Sequence, residues 1–336
     1  MPTIEELKDT SSEVKSVNPL DPYLCHMEMP LTAVYYPLGF PLALTTNSEE
    51  VMEGAEESWG AFRQQFDIPA LRFQIGMLED DSTECPTGPV FRAHRNLIVG
   101  VADQANFCVS DVVHGFSFAW LTRAAVSHKS YLRYHFLEAA ALAHIANRHT
   151  APVHAACVEL ERYGVLLCGD SGAGKSSLSF ACARAGWNFI TDDASFLLNG
   201  REDRRVVGNC HLMRLRPSAV ELFAEVAGKP LTPRAGGKPS IELFTAALPG
   251  IAVASSSNVH HVVFLNRREV DVQVVVPFSR EAARSSMHQR LSGLEELRKV
   301  QIESIERLLT AEILEIRYRD LDWAVDRLAR LVREKK

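Results

Sequence analysis

Residues 169–176 read Gly-Asp-Ser-Gly-Ala-Gly-Lys-Ser, and this octapeptide constrains the fold more than any other part of the chain. The apolar run Tyr163–Cys168 before it predicts a buried strand. The run Ser177–Gly186 after it carries small and apolar residues at helical spacing and predicts a helix. Strand, glycine-rich turn and helix in this order are the context in which a phosphate-binding loop occurs. The sequence therefore predicts an α/β fold built around such a loop.

The residue types in the loop indicate what it binds. Glycine permits backbone angles that other side chains forbid, so successive N–H groups can converge on phosphate oxygens. The Lys175 ammonium group can reach the β- and γ-phosphates, and the Ser176 hydroxyl can ligate Mg²⁺. A chance glycine-rich turn is the alternative, and the flanking strand and helix argue against it. We expect the loop to bind a nucleoside triphosphate through Gly169, Asp170, Ser171, Gly172, Ala173, Gly174, Lys175, Ser176 and Ser177.

Composition limits the range of partners. A length of 336 residues predicts about two domains. The formal net charge of −6 gives no electrostatic reason to expect nucleic acid or an anionic membrane. No apolar run approaches the ~20 residues of a membrane span, and the polar N-terminus lacks a signal-peptide pattern. The 7 cysteines form no CxxC pair, which favours a reducing compartment. We expect a cytoplasmic protein without nucleic-acid or membrane partners.

The chain divides, by pattern, into a mobile tail (1–16), an α+β domain of unknown role (17–150) and the domain with the loop (151–336). In the first domain we expect strands within Leu31–Leu44 broken at Pro37 and Pro41, a helix over Ser48–Gln65, strands at Arg72–Met77 and Leu97–Ala102, a hairpin from Phe107 to Leu121, and a helix over Tyr131–Arg148.

In the second domain strands and helices alternate, and the strand-rich middle favours a mixed sheet over a simple Rossmann-like layer. We expect strands at Trp187–Thr191 and Phe196–Leu198, a strand pair formed by Val259–Leu265 and Val270–Val276, a long helix over Glu281–Leu309 broken near Gly293, a strand at Ile313–Tyr318 and a helix over Leu321–Val332.

Three polar residues near the loop are candidates for catalysis. Asp192 and Asp193 follow the strand after the loop helix, where one carboxylate could hold Mg²⁺ and the other could take a proton from an attacking hydroxyl. A solvated Asp-Asp turn is the alternative. His154 lies upstream of the loop strand and could assist proton transfer or stabilise charge, although a lone His is more often structural.

Two further segments give weaker candidates. Arg214 and Arg216 alternate, so on a strand both would share a face and could hold phosphate or an acidic substrate; an exposed basic edge is the alternative. The segment Pro233–Leu243 could form a mobile loop that brings Lys238 to phosphate and Glu242 to a metal, but an ordinary surface loop explains it equally well.

The order of these features resembles the catalytic domain of the bacterial HPr kinase/phosphorylase family. That family carries a His, an apolar strand, GDSGxGKS, a helix and an Asp pair; here they are His154, GVLLCGDSGAGKS, ARAGWNFI and Asp192-Asp193. The resemblance covers about 45 residues, His154 to Leu198, and implies a nucleotide fold similar to phosphoenolpyruvate carboxykinase. It also implies ATP and Mg²⁺, and a homo-oligomer by analogy.

The resemblance implies a role for each matching residue. Lys175 would hold the β- and γ-phosphates and Ser176 the metal. Asp192 would be the catalytic base, Asp193 a metal or water ligand, and His154 a neighbour of the transferred phosphoryl group. The expected function is an ATP- and Mg²⁺-dependent kinase acting on a hydroxyl of a protein serine or a small metabolite.

The chain also departs from the family. Ser177 stands where that family has Glu, and its later Glu-Ile-Arg-Gly signature is replaced by residues 208–223 (GNCHLMRLRPSAVELF). With these departures, the chain resembles the broader HPr kinase-like proteins more than the kinases of HPr itself. They also keep open an alternative, a nucleotide-binding regulatory switch with little or no catalysis.

Overall fold

A computed structural model describes residues 27–232, 239–267, 272–289, 291 and 294–334. The predicted tail (1–16), Lys238, Val270 and Gly293 lie outside the described residues. Within those ranges, none of the helices combines the length and apolar character needed to cross a membrane.

The first part of the chain forms a mixed sheet of seven described strands covered by helices. The strands lie in the order β1-β2-β3-β7-β6-β5-β4, with β2, β3 and β7 parallel to one another. Their bounds are β1 Leu31–Tyr35, β2 Leu42–Thr46, β3 Leu71–Leu78, β4 Val90–His94, β5 Leu97–Val101, β6 Phe107–Asp111 and β7 Phe116–Thr122. The predicted hairpin from Phe107 to Leu121 is present as β6 and β7, which pair antiparallel.

The helix predicted over Ser48–Gln65 is shorter in the structure. Helix α1 spans Glu49–Trp59, and Ser48 caps it by accepting a hydrogen bond from the Val51 N–H at 3.3 Å. Beyond Gly60 the chain turns back, because the N–H groups of Gln65 and Phe66 donate to the Gly39 carbonyl instead of continuing the helical ladder. The predicted C-terminal bound was therefore wrong.

The helix predicted over Tyr131–Arg148 is continuous but not uniform. After α2 (Arg123–Ser127), α3 (Lys129–Leu132) runs into a π-helical turn at Arg133–Glu138 and then into α4 (Ala139–Arg148). Wider π turns inside α-helices are rare and are often found at functional sites. This one presents Arg133 and Glu138 to the second part of the chain.

The second part forms a larger mixed sheet around the loop. Along it the described strands lie in the order β17-β11-β9-β10-β18-β13-β12-β8, with β20 beside β18 and β19 beside β20. The bounds are β8 Thr150–Val153, β9 Ala155–Leu160, β10 Tyr163–Cys168, β11 Asn188–Thr191, β12 Ser195–Leu198, β13 Arg205–Val207, β17 Ala252–Val253, β18 Ser256–Arg267, β19 Val274–Pro277 and β20 Glu312–Tyr318. The molecule is thus a mixed α/β protein with mixed sheets.

Helices cover both faces of this sheet, and a small sheet lies beside it. Helices α5 (Lys175–Arg184) and α8 (Leu321–Glu334) pack on one face, and α6 (Arg280–His288) and α7 (Glu295–Leu308) on the other. The small sheet has the order β14-β16-β15, from Leu212–Leu215, Ser240–Phe244 and Leu231–Thr232. The helical pattern predicted over Glu281–Leu309 is present as the two helices α6 and α7, which end and begin on either side of the predicted break.

One predicted strand pairing was wrong. We expected Val259–Leu265 to pair with Val270–Val276, but β19 pairs antiparallel with β20 instead. The physical reason is that both edges of β18 are taken, by β10 on one side and by β20 on the other. A short loop between neighbouring strands therefore does not produce a hairpin here.

Apolar residues of the two parts share a core. Phe196, Leu198 and Val207 of the second part pack in the same cluster as Leu42, Phe73 and the other core residues of the first. The predicted division at residue 150 coincides with the start of β8, but it remains a prediction because the packing crosses it.

Candidate functional site

The loop between β10 and α5 has the backbone that its glycines permit. Gly172 and Gly174 have φ values of +99° and +97°, a region that residues with a side chain rarely adopt. A Cβ atom at Gly174 would lie 3.0 Å from the Tyr318 hydroxyl oxygen, so the loop also lies close to β20. Helix α5 begins at Lys175 and points its positive N-terminal end at the loop.

Lys175 lies inside the loop with only 5% of its surface exposed. Its Nζ atom donates to the carbonyl oxygens of Gly169 at 2.7 Å and Asp170 at 3.1 Å. Nζ also lies 3.0 Å from His154 Nε2. The ammonium group therefore connects the loop to His154, which lies two strands earlier in the chain, before β9 and β10.

His154 in turn connects Lys175 to the Asp pair. Because Nε2 faces the Lys175 ammonium group and acts as acceptor, the ring proton of a neutral His154 lies on Nδ1. That nitrogen is 3.4 Å from Asp193 Oδ1. Asp193, His154 and Lys175 thus form a line of polar groups along the loop, with the Asp193 side chain 48% exposed.

Asp192 is placed differently from its neighbour. Its side chain is buried, and its Oδ2 atom accepts a hydrogen bond from the Arg214 backbone N–H at 3.0 Å. Burial, and secondly the charge of Asp193, raise the pKa of the Asp192 carboxyl to about 6. A carboxylate with a pKa near neutrality is suited to accept a proton under physiological conditions.

The two arginines predicted to act together have separate contacts. Arg216 Nη2 donates to Ser171 Oγ at 2.7 Å, so this guanidinium group lies on the phosphate-binding loop. Arg214 donates to Glu138 and to Glu242, each at 2.8 Å, and its guanidinium group lies 4.7 Å above the Tyr134 ring centre. Both still line the cleft that contains Lys175.

Glu242 belongs to a buried ion-pair cluster, defined as Arg133, Tyr134, Glu138, Arg214 and Glu242. Its carboxylate receives hydrogen bonds from Arg214 and from the Tyr134 hydroxyl, and lies 3.6 Å from Arg133 Nη1. Burial alone would raise the pKa of Glu242, but Arg214 and Tyr134 outweigh it and lower that pKa. The predicted role of Glu242 as a metal ligand is not supported by this arrangement, because Arg214, Tyr134 and Arg133 already contact its carboxylate.

We expect the cluster to contribute strongly to stability. Arg133 is 3% exposed, and Arg133→Met would leave the carboxylates of Glu138 and Glu242 buried with one cation fewer. Removing one partner of a buried pair costs about 3–5 kcal/mol, and urea unfolding monitored by circular dichroism would measure it.

The control for this prediction is Arg123→Met, because Arg123 pairs with Glu79 at the surface, where the two side chains are 44% and 69% exposed. Exposed pairs contribute roughly 0–1 kcal/mol. Equal losses of stability in the two variants would show that the buried cluster is not a stabilising unit.

A cleft of about 300 Å³ brings the predicted site residues together. It is lined by His154, Lys175, Ser176, Asp192, Asp193 and Arg216, among others. Ser240 also faces it: its side chain is 3% exposed, and its hydroxyl has no hydrogen-bond partner among the described residues. A buried hydroxyl of this kind is one more group available to a polar ligand.

The residues present fit a magnesium ion. Ser176 and the half-exposed Asp193 offer the oxygen donors that Mg²⁺ prefers, and such ions commonly bind through one or two protein groups plus substrate phosphates. In the described ranges no group of three or more His, Cys, Asp or Glu side chains is arranged to hold a metal on its own. The arrangement therefore suits a metal that arrives with a phosphate ligand.

Sequence patterns did not indicate every residue near the site. Arg133, Tyr134 and Glu138 come from the first part of the chain, where an amphipathic helix gave no sign of a functional contact. Tyr318 was predicted only as a strand residue, yet its side chain is fully buried beneath the loop.

No protein-family model matches the chain, and no curated protein matches it. Among solved structures, the chain is similar to the Hpr(Ser) kinase/phosphatase from Coxiella burnetii, at 18% identity and a TM-score of 0.30. The likeness covers 55% of this chain and 97% of that one. A TM-score of this size does not by itself establish a common fold.

Proposed function

We propose that the protein is an ATP- and Mg²⁺-dependent phosphotransferase of the HPr kinase-like group that transfers a phosphoryl group to a hydroxyl. One observation carries the proposal: Lys175 in the loop lies 3.0 Å from His154 Nε2, and His154 Nδ1 lies 3.4 Å from Asp193, beside the buried Asp192. A glycine-rich loop alone would serve binding only. A carboxylate pair and an imidazole at the same loop supply proton-transfer groups.

The mechanism follows from where these groups lie. The loop N–H groups, Lys175 and Arg216 would surround the phosphates and neutralise charge that develops on them. Magnesium, held through Ser176 and Asp193, would supply further charge neutralisation at the β- and γ-phosphates. Asp192 would accept the proton of the attacking hydroxyl, and its raised pKa of about 6 leaves it mainly ionised at pH 7. His154 would keep Lys175 and Asp193 in position.

The test is to follow the ³¹P signals of ATP with Mg²⁺ and the purified protein, together with hydroxyl acceptors and a cell extract. We expect a new phosphoester signal and release of ADP. Calorimetric titration with Mg-ATP gives the binding constant on the same sample. Binding without any transfer would support the regulatory switch instead, and absence of binding would refute the proposed function.

A further inference from the structure

A second cavity borders the cleft at the Asp192–Asp193 turn. Its volume is about 160 Å³, and both parts of the chain form its walls. From the first part come Leu38, Trp59, Phe62 and Ala141, and from the second Phe196 and Leu212. Asp192, Asp193 and Arg214 line this cavity and the cleft alike. The two spaces therefore meet at the proposed catalytic base.

We propose that this second cavity, here called the acceptor cavity, binds the molecule that receives the phosphoryl group, and that this molecule is a small neutral alcohol with an apolar body. The inference rests on the proposed function, because a cavity beside Asp192 has this meaning only if Asp192 accepts a hydroxyl proton. It adds the class of acceptor, which the proposed function leaves open between a metabolite and a protein serine.

The volume of the cavity sets the size of the acceptor. An apolar cavity of about 150 Å³ can hold benzene, so about 160 Å³ suits a molecule with roughly one six-membered ring. The seryl side chain of a protein would bring its backbone and neighbouring residues with it. A cavity of about 160 Å³ is filled by roughly one ring, which favours a small molecule over a peptide segment.

The charges around the cavity disfavour an anionic acceptor, and its apolar wall favours a neutral one. Four charged residues line the cavity, and two of them compensate each other, because Arg214 Nη2 and Glu138 Oε2 lie 2.8 Å apart; Asp192 and Asp193 are left. Asp192 and Asp193 would repel a carboxylate or a phosphate on the acceptor. The remaining wall is mainly aromatic and aliphatic, and burial of apolar surface is its main source of affinity.

Two backbone irregularities converge on the walls. Leu38 has φ 51° and ψ 23°, a left-handed conformation that is uncommon for a leucine, and its side chain is 3% exposed. The π turn Arg133–Glu138 ends at the wall residue Glu138. Strained residues and π turns both occur preferentially at ligand-binding sites.

Phosphoryl transfer to the acceptor forms one bond to phosphorus and breaks another. The acceptor oxygen forms a bond to the γ-phosphorus of the nucleoside triphosphate, and the bond from that phosphorus to the β,γ-bridging oxygen breaks. The nucleoside diphosphate leaves with the electron pair, and the hydroxyl proton passes to Asp192. An alcohol in the acceptor cavity would present its hydroxyl at this carboxylate.

The experiment uses benzyl alcohol as the probe, with benzoate and an acetylated seryl tripeptide for comparison. Saturation-transfer NMR measures binding, with and without Mg-ATP, and ³¹P NMR measures phosphorylation.

Ala141→Leu adds side-chain volume inside the cavity and should weaken benzyl alcohol binding by about tenfold. The control is Ala143→Leu, the same substitution on the same helix at a half-buried position that does not line the cavity. It should change the affinity for benzyl alcohol by less than about twofold. Thermal unfolding shows whether both variants are folded, and Leu142→Trp offers a second way to fill the cavity.

Selective binding of benzyl alcohol over benzoate, lost in the filled variants alone, would support the proposal. Equal binding in wild type and folded filled variants would overturn it, as would phosphorylation of the peptide without binding of the alcohol. The last result would leave the phosphotransferase function intact. Failure of Mg-ATP to bind would refute the phosphotransferase function. The two failures can be told apart, because benzyl alcohol binding to the cavity is also measured without nucleotide.

Discussion

Replacing Lys175 with methionine should weaken Mg-ATP binding by about 100-fold and remove detectable phosphoryl transfer. Charge-assisted hydrogen bonds contribute about 1.5–3 kcal/mol each, and Lys175 is expected to contact both the β- and γ-phosphates. The side chain is buried at the inner surface of the loop. Among the described residues, Lys175 is the only lysine that lines the cleft. Calorimetric titration with Mg-ATP measures the change.

The matched control is Lys129→Met, at a half-exposed lysine paired with Glu53 at the surface. It should bind Mg-ATP as the wild type does. Lys175→Met also removes the hydrogen bonds to the carbonyl oxygens of Gly169 and Asp170, so circular dichroism must show that it is folded. Unchanged affinity in a folded Lys175→Met variant would refute the assignment of the loop to phosphate binding.

Local patterns predicted the parts of the fold that depend on neighbouring residues. The strand Tyr163–Cys168 and the helix after the loop lie where the apolar spacing indicated, because side-chain period and glycine conformations are local properties. The cap at Ser48 was predictable for the same reason. The C-terminal end of that helix was not, because a contact with Gly39, distant in sequence, ends it.

The features that local sequence patterns did not predict depend on contacts between residues far apart in the chain. Whether β19 pairs with β18 depends on β10 and β20 filling both edges of β18, which the turn between them does not reveal. The contact between Arg214 and Glu138 joins residues 76 positions apart. No spacing rule predicts such a pair. His154 was a candidate because an imidazole upstream of the loop could assist proton transfer and because the order of motifs resembled a family, and the structure places it between Lys175 and Asp193.

Replacing Asp192 with asparagine should reduce phosphoryl transfer by about 10²–10⁴-fold while Mg-ATP affinity stays within about threefold. Asparagine keeps an oxygen that can accept the Arg214 backbone N–H but cannot take a proton from a hydroxyl. Single-turnover ³¹P or radiolabel assays measure transfer, and titration measures binding. The exposed Asp326→Asn serves as the matched control and should behave as the wild type.

The same substitution should have a distinct effect on stability. The folded state raises the Asp192 pKa from its ordinary value of 3.8 to about 6, so it holds the proton more tightly than the unfolded chain does. The protonated Asp192 carboxyl therefore contributes to the free energy of unfolding, fully so below pH 3.8. This contribution, about 3 kcal/mol, is lost as the pH rises through about 6. Metal-free Asp192→Asn should escape this loss, so its stability relative to wild type should be greater at pH 7 than at pH 4.

The two readouts together separate chemistry from folding. A variant that loses transfer because it misfolds would be less stable than wild type at both pH values, whereas removal of the titrating carboxyl should make its stability relative to wild type greater at pH 7 than at pH 4. Denaturant unfolding at pH 4 and pH 7 in the presence of a chelator measures the difference. Full transfer by Asp192→Asn would exclude Asp192 as the base. An identical pH dependence in both proteins would show that the Asp192 carboxyl does not titrate between these values, and would refute its raised pKa.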